Sequence, residues 1–143
     1  MLFRSQLLVL FIGLFVVNQA LQTTGLPERA MAGLAAQGID LHEPGPLFAA
    51  GVVLSNLVSN VPAVMLLLPS VEQPFGGTVL ALSSTLAGNL LIVSSIANII
   101  VVQAAEQRGI RIDWRQHARV GVPVTLATLA ITAVYLWLQV NGL

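Results

Sequence analysis

The stretch "LSNLVSNVPAVMLLLP", residues 54–69, decides the fold because it places helix-breaking residues inside an apolar block. Ser59 and Asn60 are followed by Val61 and Pro62. A proline in a helix interior removes one backbone donor and clashes with the preceding turn, which costs about 3 kcal/mol. The residue before it is pushed towards extended geometry. The stretch therefore predicts two helical arms joined near this point.

The composition indicates an integral membrane protein. Of 143 residues, 56% are hydrophobic and only 8% are charged, whereas a soluble domain carries about 25% charged residues. The six basic and six acidic residues balance, which argues against a nucleic-acid partner. The absence of cysteine excludes disulfides and thiolate metal sites. We expect a multi-pass, all-α protein of the cell membrane, and of the inner membrane in a bacterium.

Two uncharged apolar segments predict membrane-spanning helices, over residues 5–26 and 120–140. A signal peptide is the alternative for the first, but "NQA" before the following leucine is a poor cleavage site. Trp114 and Trp137 flank the last segment as interfacial anchors do. Pro123 is placed near its start, where proline is tolerated.

The segments between the apolar blocks are polar or short. Residues 27–38 predict an interfacial helix, bounded by a proline and a glycine. Residues 106–119 hold four of the six arginines and predict a cytoplasmic loop. His42 and His117 are interpreted as ordinary polar residues of the two connecting segments. No metal site is predicted at either histidine.

The two remaining blocks are interrupted. Residues 47–69 predict a re-entrant hairpin or, alternatively, a spanning helix unwound at its middle. Residues 78–105 predict a spanning helix broken at Gly88 and Asn89, because glycine frees the backbone and asparagine tolerates left-handed conformations. Non-helical backbone at membrane depth persists only where protein buries it or where it lines a cavity.

Adjacent interrupted segments predict a binding site of the kind that secondary transporters use. Helix N-termini at such breaks favour anions, and carbonyl and amide oxygens favour a hard cation such as Na⁺. We expect a substrate or ion at Ser59, Asn60, Gly88 and Asn89, with Na⁺ as a possible occupant beside Ser59, Asn60 and Asn89. Supporting positions around this site are Ser55, Asn56, Pro62, Ser94 and Asn98. Plain helix packing by these small polar residues is the alternative.

The sequences "SNLVSNVPAVMLLLP" and "LAGNLLIVSSIANIIVVQAAEQRGI" resemble the ion-transporter superfamily of arsenite permeases, NhaD-type sodium–proton antiporters and citrate-type anion transporters. The resemblance implies one half of an inverted-repeat carrier, the C-terminal half, with about three spanning helices plus a re-entrant hairpin. Ser59, Asn60 and Val61 would form the hairpin tip, with Pro62 opening the second arm. Val61 stands where carboxylate carriers often have threonine.

The expected function is secondary transport of a small anion or ion, coupled to Na⁺ or H⁺, without a resident cofactor. No paired carboxylates, nucleophile–base set or phosphate loop suggests an enzyme. The partners implied are the lipid bilayer and a missing N-terminal half or a second copy of the chain. The alternative is a non-transporting membrane interaction subunit or an inactive fragment. The arginine count is five to one for either topology of the second block, so it leaves the topology open.

Overall fold

A computed structural model of the protein describes residues 2–142, and for residues 2–7 and 10 it describes the backbone only. Within that part of the chain every regular element is helical. Short 3₁₀ turns follow α4 at Leu68–Ser70 and precede α6 at Ile92–Ser94. The seven helices are α1 (Leu2–Thr23), α2 (Leu26–Ala35), α3 (Pro44–Val58), α4 (Asn60–Leu67), α5 (Gly76–Ala87), α6 (Ile96–Glu106) and α7 (Trp114–Val140).

Helix α5 lies at the centre of the packing. It contacts α3, α4 and α7, while α1 packs against α4 and α2. Gly51 permits the close approach of α3 to α5, because a Cβ there would lie 3.2 Å from the Cβ of Ser83 and 3.7 Å from a methyl of Leu80. Small residues allow helix backbones to approach closely in membrane proteins. The buried apolar cluster beside this contact contains Leu47, Leu67, Val79 and Leu80.

The helix ends differ from the predicted boundaries in several places. The first helix begins and ends three residues earlier than predicted, whereas the second begins one residue and ends three residues earlier. The first arm begins at Pro44 instead of residue 47, because the two prolines of "PGP" both lie in the first turn of α3, where their missing donors cost little. The ends of the predicted membrane domain, Met1 and Leu143, lie outside the described residues.

The predicted cytoplasmic loop over 106–119 is wrong in its second half, because α7 already begins at Trp114. Asp113 and Gln116 form a capping box: Asp113 Oδ1 accepts from Arg115 N at 2.7 Å, and Gln116 Oε1 accepts from Asp113 N at 3.3 Å. Such a reciprocal cap nucleates a helix N-terminus. Pro123 therefore lies inside α7 and not near its start, contrary to the prediction.

Among the helices whose side chains are all described, α7 is the one that is both long enough and apolar enough to cross a membrane unaided. Helix α1 has 22 residues, and its part with fully described side chains, Phe11–Thr23, is apolar. Helices α3, α4, α5 and α6 are apolar but shorter. A helix rises about 1.5 Å per residue, so the 15 residues of α3 and the 12 of α5 each cover less than the hydrocarbon thickness. Each of these two helices ends at one of the predicted interruptions.

Candidate transport site

The hairpin tip, defined here as Ser59 and Asn60, separates α3 from α4 by a single non-helical residue. Ser59 has φ 77° and ψ 157° and is the non-glycine residue with positive φ within residues 2–142. That region of backbone space belongs almost exclusively to glycine and costs about 1–3 kcal/mol for other residues. Helices α3 and α4 contact each other on either side of it.

The hydrogen bonds at the tip are local. Asn60 Oδ1 accepts from Val61 N at 3.0 Å, and Ser59 O accepts from Ala63 N at 3.1 Å. The bond from Ser59 Oγ to Asn60 Oδ1 is long, at 3.5 Å. Helix α4 thus begins at Asn60, so the prediction that Val61 leaves helical geometry and that Pro62 opens the second arm is wrong by two residues. Pro62 lies in the first turn, where its missing N–H would have no partner anyway.

The break, defined here as residues 88–95, lies between α5 and α6. Its carbonyls face side-chain donors from the break itself and from the first turn of α6. Gly88 O accepts from Asn98 Nδ2 at 2.8 Å and lies 3.2 Å from Ser94 Oγ. Leu91 O lies 2.7 Å from Ser94 Oγ and 3.3 Å from Asn98 Nδ2, and Leu91 N donates to Ser94 Oγ at 3.2 Å. Ser94 and Asn98 therefore replace the helical hydrogen bonds that the break lacks.

His117 also belongs to this region, although its sequence position predicted an ordinary polar residue. Its Nε2 lies 3.0 Å from Asn89 O. The next turn of α7 carries Gly121, where a Cβ would approach Asn89 O to 2.7 Å, so glycine lets α7 sit directly on the break. The signal in the sequence was the four-residue spacing of His117 and Gly121, which was hidden because this segment was interpreted as a loop.

The tip and the break are both attached to α5. Helices α3 and α4, on either side of the tip, contact α5, and α3 also contacts the 3₁₀ turn at Ile92–Ser94 inside the break. The structure thus packs the helices that flank the tip against the helix that ends at the break. No hydrogen bond joins Ser59 or Asn60 to Gly88 or Asn89 in the described chain.

Several buried polar atoms have no hydrogen-bond partner in the described structure. Two of them, Ser55 Oγ and Asn56 Oδ1, lie one turn before the tip. Ser55 is fully buried, and the amide nitrogen of Asn56 donates to Val52 O at 2.9 Å. The others are Thr125 Oγ1 on α7 and both polar atoms of Asn18 on α1. A buried group without a partner costs about 1–3 kcal/mol, so the region before the tip holds two polar atoms whose hydrogen-bonding capacity the described chain does not satisfy.

Two cavities accompany these elements. One of about 600 Å³ is lined only by apolar residues of α1 to α4 and the connection between α2 and α3, so it offers no groups that recognise an ion. The other, of about 490 Å³, lies between the break and α7 and includes Asn89, Gln116 and His117 in its lining. This second cavity, whose mainly apolar lining includes these three polar side chains, is therefore the one that adjoins the predicted site.

The charged and metal-binding side chains of residues 2–142 form no cluster of three or more His, Cys, Asp or Glu. His42 Nδ1 lies 3.9 Å from Glu72 Oε2, with both side chains largely exposed. An exposed pair at this separation contributes little.

Comparison with known proteins identifies the family of the chain. A sequence model described as citrate transporter matches residues 4–78, which include α1 to α4 and the tip. The chain belongs to the citrate transporter family. It is 32% identical to an uncharacterized transporter of Mycobacterium tuberculosis over 92% of the chain and 34% of that protein. It is 34% identical to the silicon efflux transporter LSI3 of rice (Oryza sativa subsp. japonica) over 87% of the chain and 29% of that protein.

A further relative is the transporter arsB of Dictyostelium discoideum, which is 36% identical over 56% of the chain and 15% of that protein. The chain spans about a third of the length of the first of these relatives, consistent with a partial C-terminal half. No solved structure matches the chain significantly. The family and its relatives are transporters and not enzymes, and the chain is a membrane protein.

Proposed function

We propose that this chain carries the substrate-binding part of a secondary carrier for a small anion or ion, coupled to Na⁺ or H⁺. The observation that supports this most strongly is that α3 and α4, the helices on either side of the tip, both contact α5, the helix that ends at the break. Broken helices around a common site are the usual device of secondary transporters. Ser59, Asn60, Gly88 and Asn89 would contact the substrate, with Val61 beside the tip.

The electrostatics of the site favour this function. Helices α4 and α6 begin at the tip and after the break. Ser95 makes no side-chain cap at α6, whereas Asn60 Oδ1 already accepts from Val61 N in the first turn of α4. Uncapped N–H groups and the positive end of the helix dipole attract an anion. No charged residue occurs from residue 44 to 71 or from 76 to 105, so the backbone would provide this attraction without a compensating cation in these two segments.

A coupling Na⁺ would use oxygen ligands from the same region. Ser55 Oγ and Asn56 Oδ1, which have no hydrogen-bond partner, lie one turn before the tip. Further amide and hydroxyl oxygens come from Ser59, Asn60 and Asn89. Oxygen ligands of this type suit hard cations. Coupling to H⁺ is the other possibility, for which the two broken segments themselves provide no carboxylate.

In the membrane, α3 and α4 would form a re-entrant hairpin, while α5, the break and α6 would form one spanning helix unwound at its centre. Together with α1 and α7 this gives three spanning helices, with α2 at the interface. Helix α6 has no buried residue, and α7 leaves Leu126, Ile131 and Trp137 more than half exposed. We propose that lipid, the remainder of an inverted-repeat carrier or a second copy of the chain covers these faces, in a bacterial inner membrane.

The same exposed faces favour a second candidate, a membrane interaction subunit that transports nothing by itself. In that case the polar residues of the tip and the break would only satisfy backbone groups and pack helices. The hydrogen bonds from Ser94 and Asn98 to the break are compatible with both functions.

Uptake by the full-length carrier in proteoliposomes separates the two candidates. The panel would contain citrate, silicic acid and arsenite, each with and without a Na⁺ or a pH gradient. We expect Asn60→Ala and Asn89→Ala each to lower the initial rate about 10-fold or more, the size of effect expected when a polar contact to a buried substrate is lost.

Asn141→Ala is the matched control, because Asn141 is exposed and its amide donates only to Trp137 O at the end of α7. Its uptake rate should equal that of the unmodified carrier. Unchanged uptake in both Asn60→Ala and Asn89→Ala would contradict the site and favour the interaction subunit.

A further inference from the structure

Four arginines lie at the end of the molecule where α6 stops and α7 starts. All four are exposed, and they are defined here as the basic patch: Arg108, Arg111, Arg115 and Arg119. Among the described side chains, none of these guanidinium groups forms an ion pair with a carboxylate, since the ion pair found there joins His42 to Glu72. The proposed transport function requires none of the four side chains.

Two carboxylates lie in the same segment but leave the patch positive. Asp113 Oδ1 accepts from Arg115 N at 2.7 Å, so this side chain is engaged in the cap of α7. Glu106 is the last residue of α6 and is exposed. Four arginines against two carboxylates leave an excess of positive charge, to which no lysine contributes. Arginine can bind a phosphate group through two parallel N–H bonds, whereas the ammonium of lysine acts as a point charge.

The depth of two of these arginines follows from the length of α7. Its apolar part, residues 120–140, rises about 1.5 Å per residue and so matches the roughly 30 Å of a hydrocarbon core. Arg119 directly precedes this part, and Arg115 lies one turn earlier. Trp114, the first residue of α7, is 68% exposed, as expected for an aromatic side chain at headgroup level. With α7 across the bilayer, both guanidinium groups lie at the level of the lipid phosphates.

The same two arginines belong to a side of α7 that stays largely exposed. With about 3.6 residues per turn, Arg115, Arg119 and Leu126 lie within about 40° of one another around the helix axis. Trp137 continues this side towards the other end of α7, and Leu126 and Trp137 are each 61% exposed. The guanidinium carbon of Arg115 also lies 5.3 Å from the ring centre of Trp114. An apolar side that ends in unpaired arginines complements a phospholipid, whose acyl chains end in an anionic headgroup.

We propose that the basic patch binds the headgroup phosphates of anionic phospholipids while their acyl chains lie along the exposed side of α7. Arg115 and Arg119 form the phosphate contacts, and Arg108 and Arg111 add positive potential just outside the membrane. The bilayer brings phosphates to this depth by itself, whereas a protein partner would need carboxylates in register with both arginines. The inference requires α7 to span the bilayer but is independent of the transport site.

The test measures lipid preference beside the patch and needs no transport. In the 143-residue chain, Trp114→Phe and Trp137→Phe remove the two natural tryptophans, and Leu126→Trp places one reporter on the exposed side of α7, in the half nearest the patch. This protein is reconstituted in phosphatidylcholine vesicles that contain brominated phosphatidylglycerol or, at the same mole fraction, brominated phosphatidylcholine. Bromine quenches tryptophan fluorescence on contact, so the ratio of quenching gives the relative association constant of the two lipids.

We expect phosphatidylglycerol to associate about 5-fold more strongly at about 0.1 M salt, the contribution of about one basic side chain near an anionic membrane surface. At about 1 M salt the screening length falls to about 3 Å, and the preference should fall below twofold. The matched control reporter is Trp137 in a Trp114→Phe chain. It lies on the same side of α7 at the end without arginines, so it should show no preference.

Three variants of the Leu126→Trp chain make the outcome specific. The double substitution Arg115→Gln and Arg119→Gln should lower the preference below twofold. Glu106→Gln removes a carboxylate beside the patch and should raise the preference. Arg29→Gln changes an equally exposed arginine on α2 and should leave the preference unchanged.

Equal association of the two lipids, or a preference that survives either the double substitution or high salt, would overturn the proposal. A preference that inorganic phosphate removes, but sodium chloride of equal ionic strength does not, would equally overturn it, because the patch would then bind a soluble anion. If the doubly substituted chain fails to fold, the salt dependence and Glu106→Gln decide, since neither removes an arginine. Because no step measures uptake, a carrier that fails to transport the panel substrates would leave this result distinct.

Discussion

The hairpin tip and the break interrupt apolar helices in two different ways. The tip concentrates the change in one residue, Ser59, which takes a backbone conformation suited to glycine. The break extends over residues 88–95, and the side chains of Ser94, Asn98 and His117 form hydrogen bonds with its backbone carbonyls. The tip therefore stores strain, whereas the break depends on hydrogen bonds. Polar residues beside a break therefore need not bind a substrate or ion, since the side chains of Ser94 and Asn98 already donate hydrogen bonds to backbone carbonyls.

The largest loss of stability should come from removing the hydroxyl of Ser94, which forms hydrogen bonds with several backbone groups of the break. Ser94→Ala leaves Leu91 N without its acceptor and takes a donor from Gly88 O and Leu91 O. Ser94 is 1% exposed, so water cannot replace it, and we expect a loss of about 1–3 kcal/mol in the free energy of unfolding. Denaturant titration in micelles, followed by circular dichroism, measures this value.

The matched control for that prediction is Ser95→Ala. Ser95 is similarly buried, but its side chain makes no cap hydrogen bond to α6. It should lose less than about 0.5 kcal/mol, as substitutions away from specific interactions do. Equal losses for Ser94→Ala and Ser95→Ala would contradict the view that the break depends on its hydrogen bonds.

A smaller change, and a gain in stability instead of a loss, is expected at the tip. Ser59→Gly relieves about 1–3 kcal/mol of backbone strain and loses about 0.5–1 kcal/mol through the greater freedom of glycine in the unfolded chain. The net gain in stability should be about 1 kcal/mol in the same titration. Ser95→Gly, at an ordinary φ of −138°, should instead destabilise. A loss of stability in Ser59→Gly would mean that the tip is held by its hydroxyl contacts and is not strained.

The smallest change in stability is expected at Pro62, the proline that follows the tip. Pro62 lies in the first turn of α4, so Pro62→Ala restores no missing helical bond and only increases the freedom of the unfolded chain. We expect a loss of about 0.4–1 kcal/mol, against the gain of about 3 kcal/mol that a helix-interior proline would give when replaced. A clear gain in stability would show that α3 and α4 are one kinked helix.

Much of the fold follows from local chemistry that the sequence displays. Asparagine, serine, glycine and proline compete with helical hydrogen bonds wherever they occur in an apolar block, so the positions of the two interruptions agree with the ends of α3 and α5. The low charge content predicted a membrane protein, and membership of the citrate transporter family supports it. The all-helical prediction is confirmed for residues 2–142.

Other expectations failed where a local pattern had two interpretations. The arginine-rich segment looked like a loop because of its polarity, but the capping box at Asp113 and Gln116 starts α7 there. The same pattern predicts Pro123 at a helix start and gives no sign that His117 contacts the break. The burial of Asn18 and Thr125 has no sequence signal either, since a single polar residue in an apolar helix does not indicate what it faces.

The sequence by itself determined that the chain is apolar, helical and interrupted at two defined points, because these properties depend on composition and on neighbours within one or two turns. Only the tertiary structure decided which polar groups are occupied and which are open. Ser94 and Asn98 bind the break's carbonyls, while Ser55 Oγ and Asn56 Oδ1 stay without partners. It also decided that His117 meets Asn89, 28 residues away along the chain. Such pairings depend on how α7 packs against α5 and the break, and the missing side chain of Gly121 lets α7 approach Asn89 O.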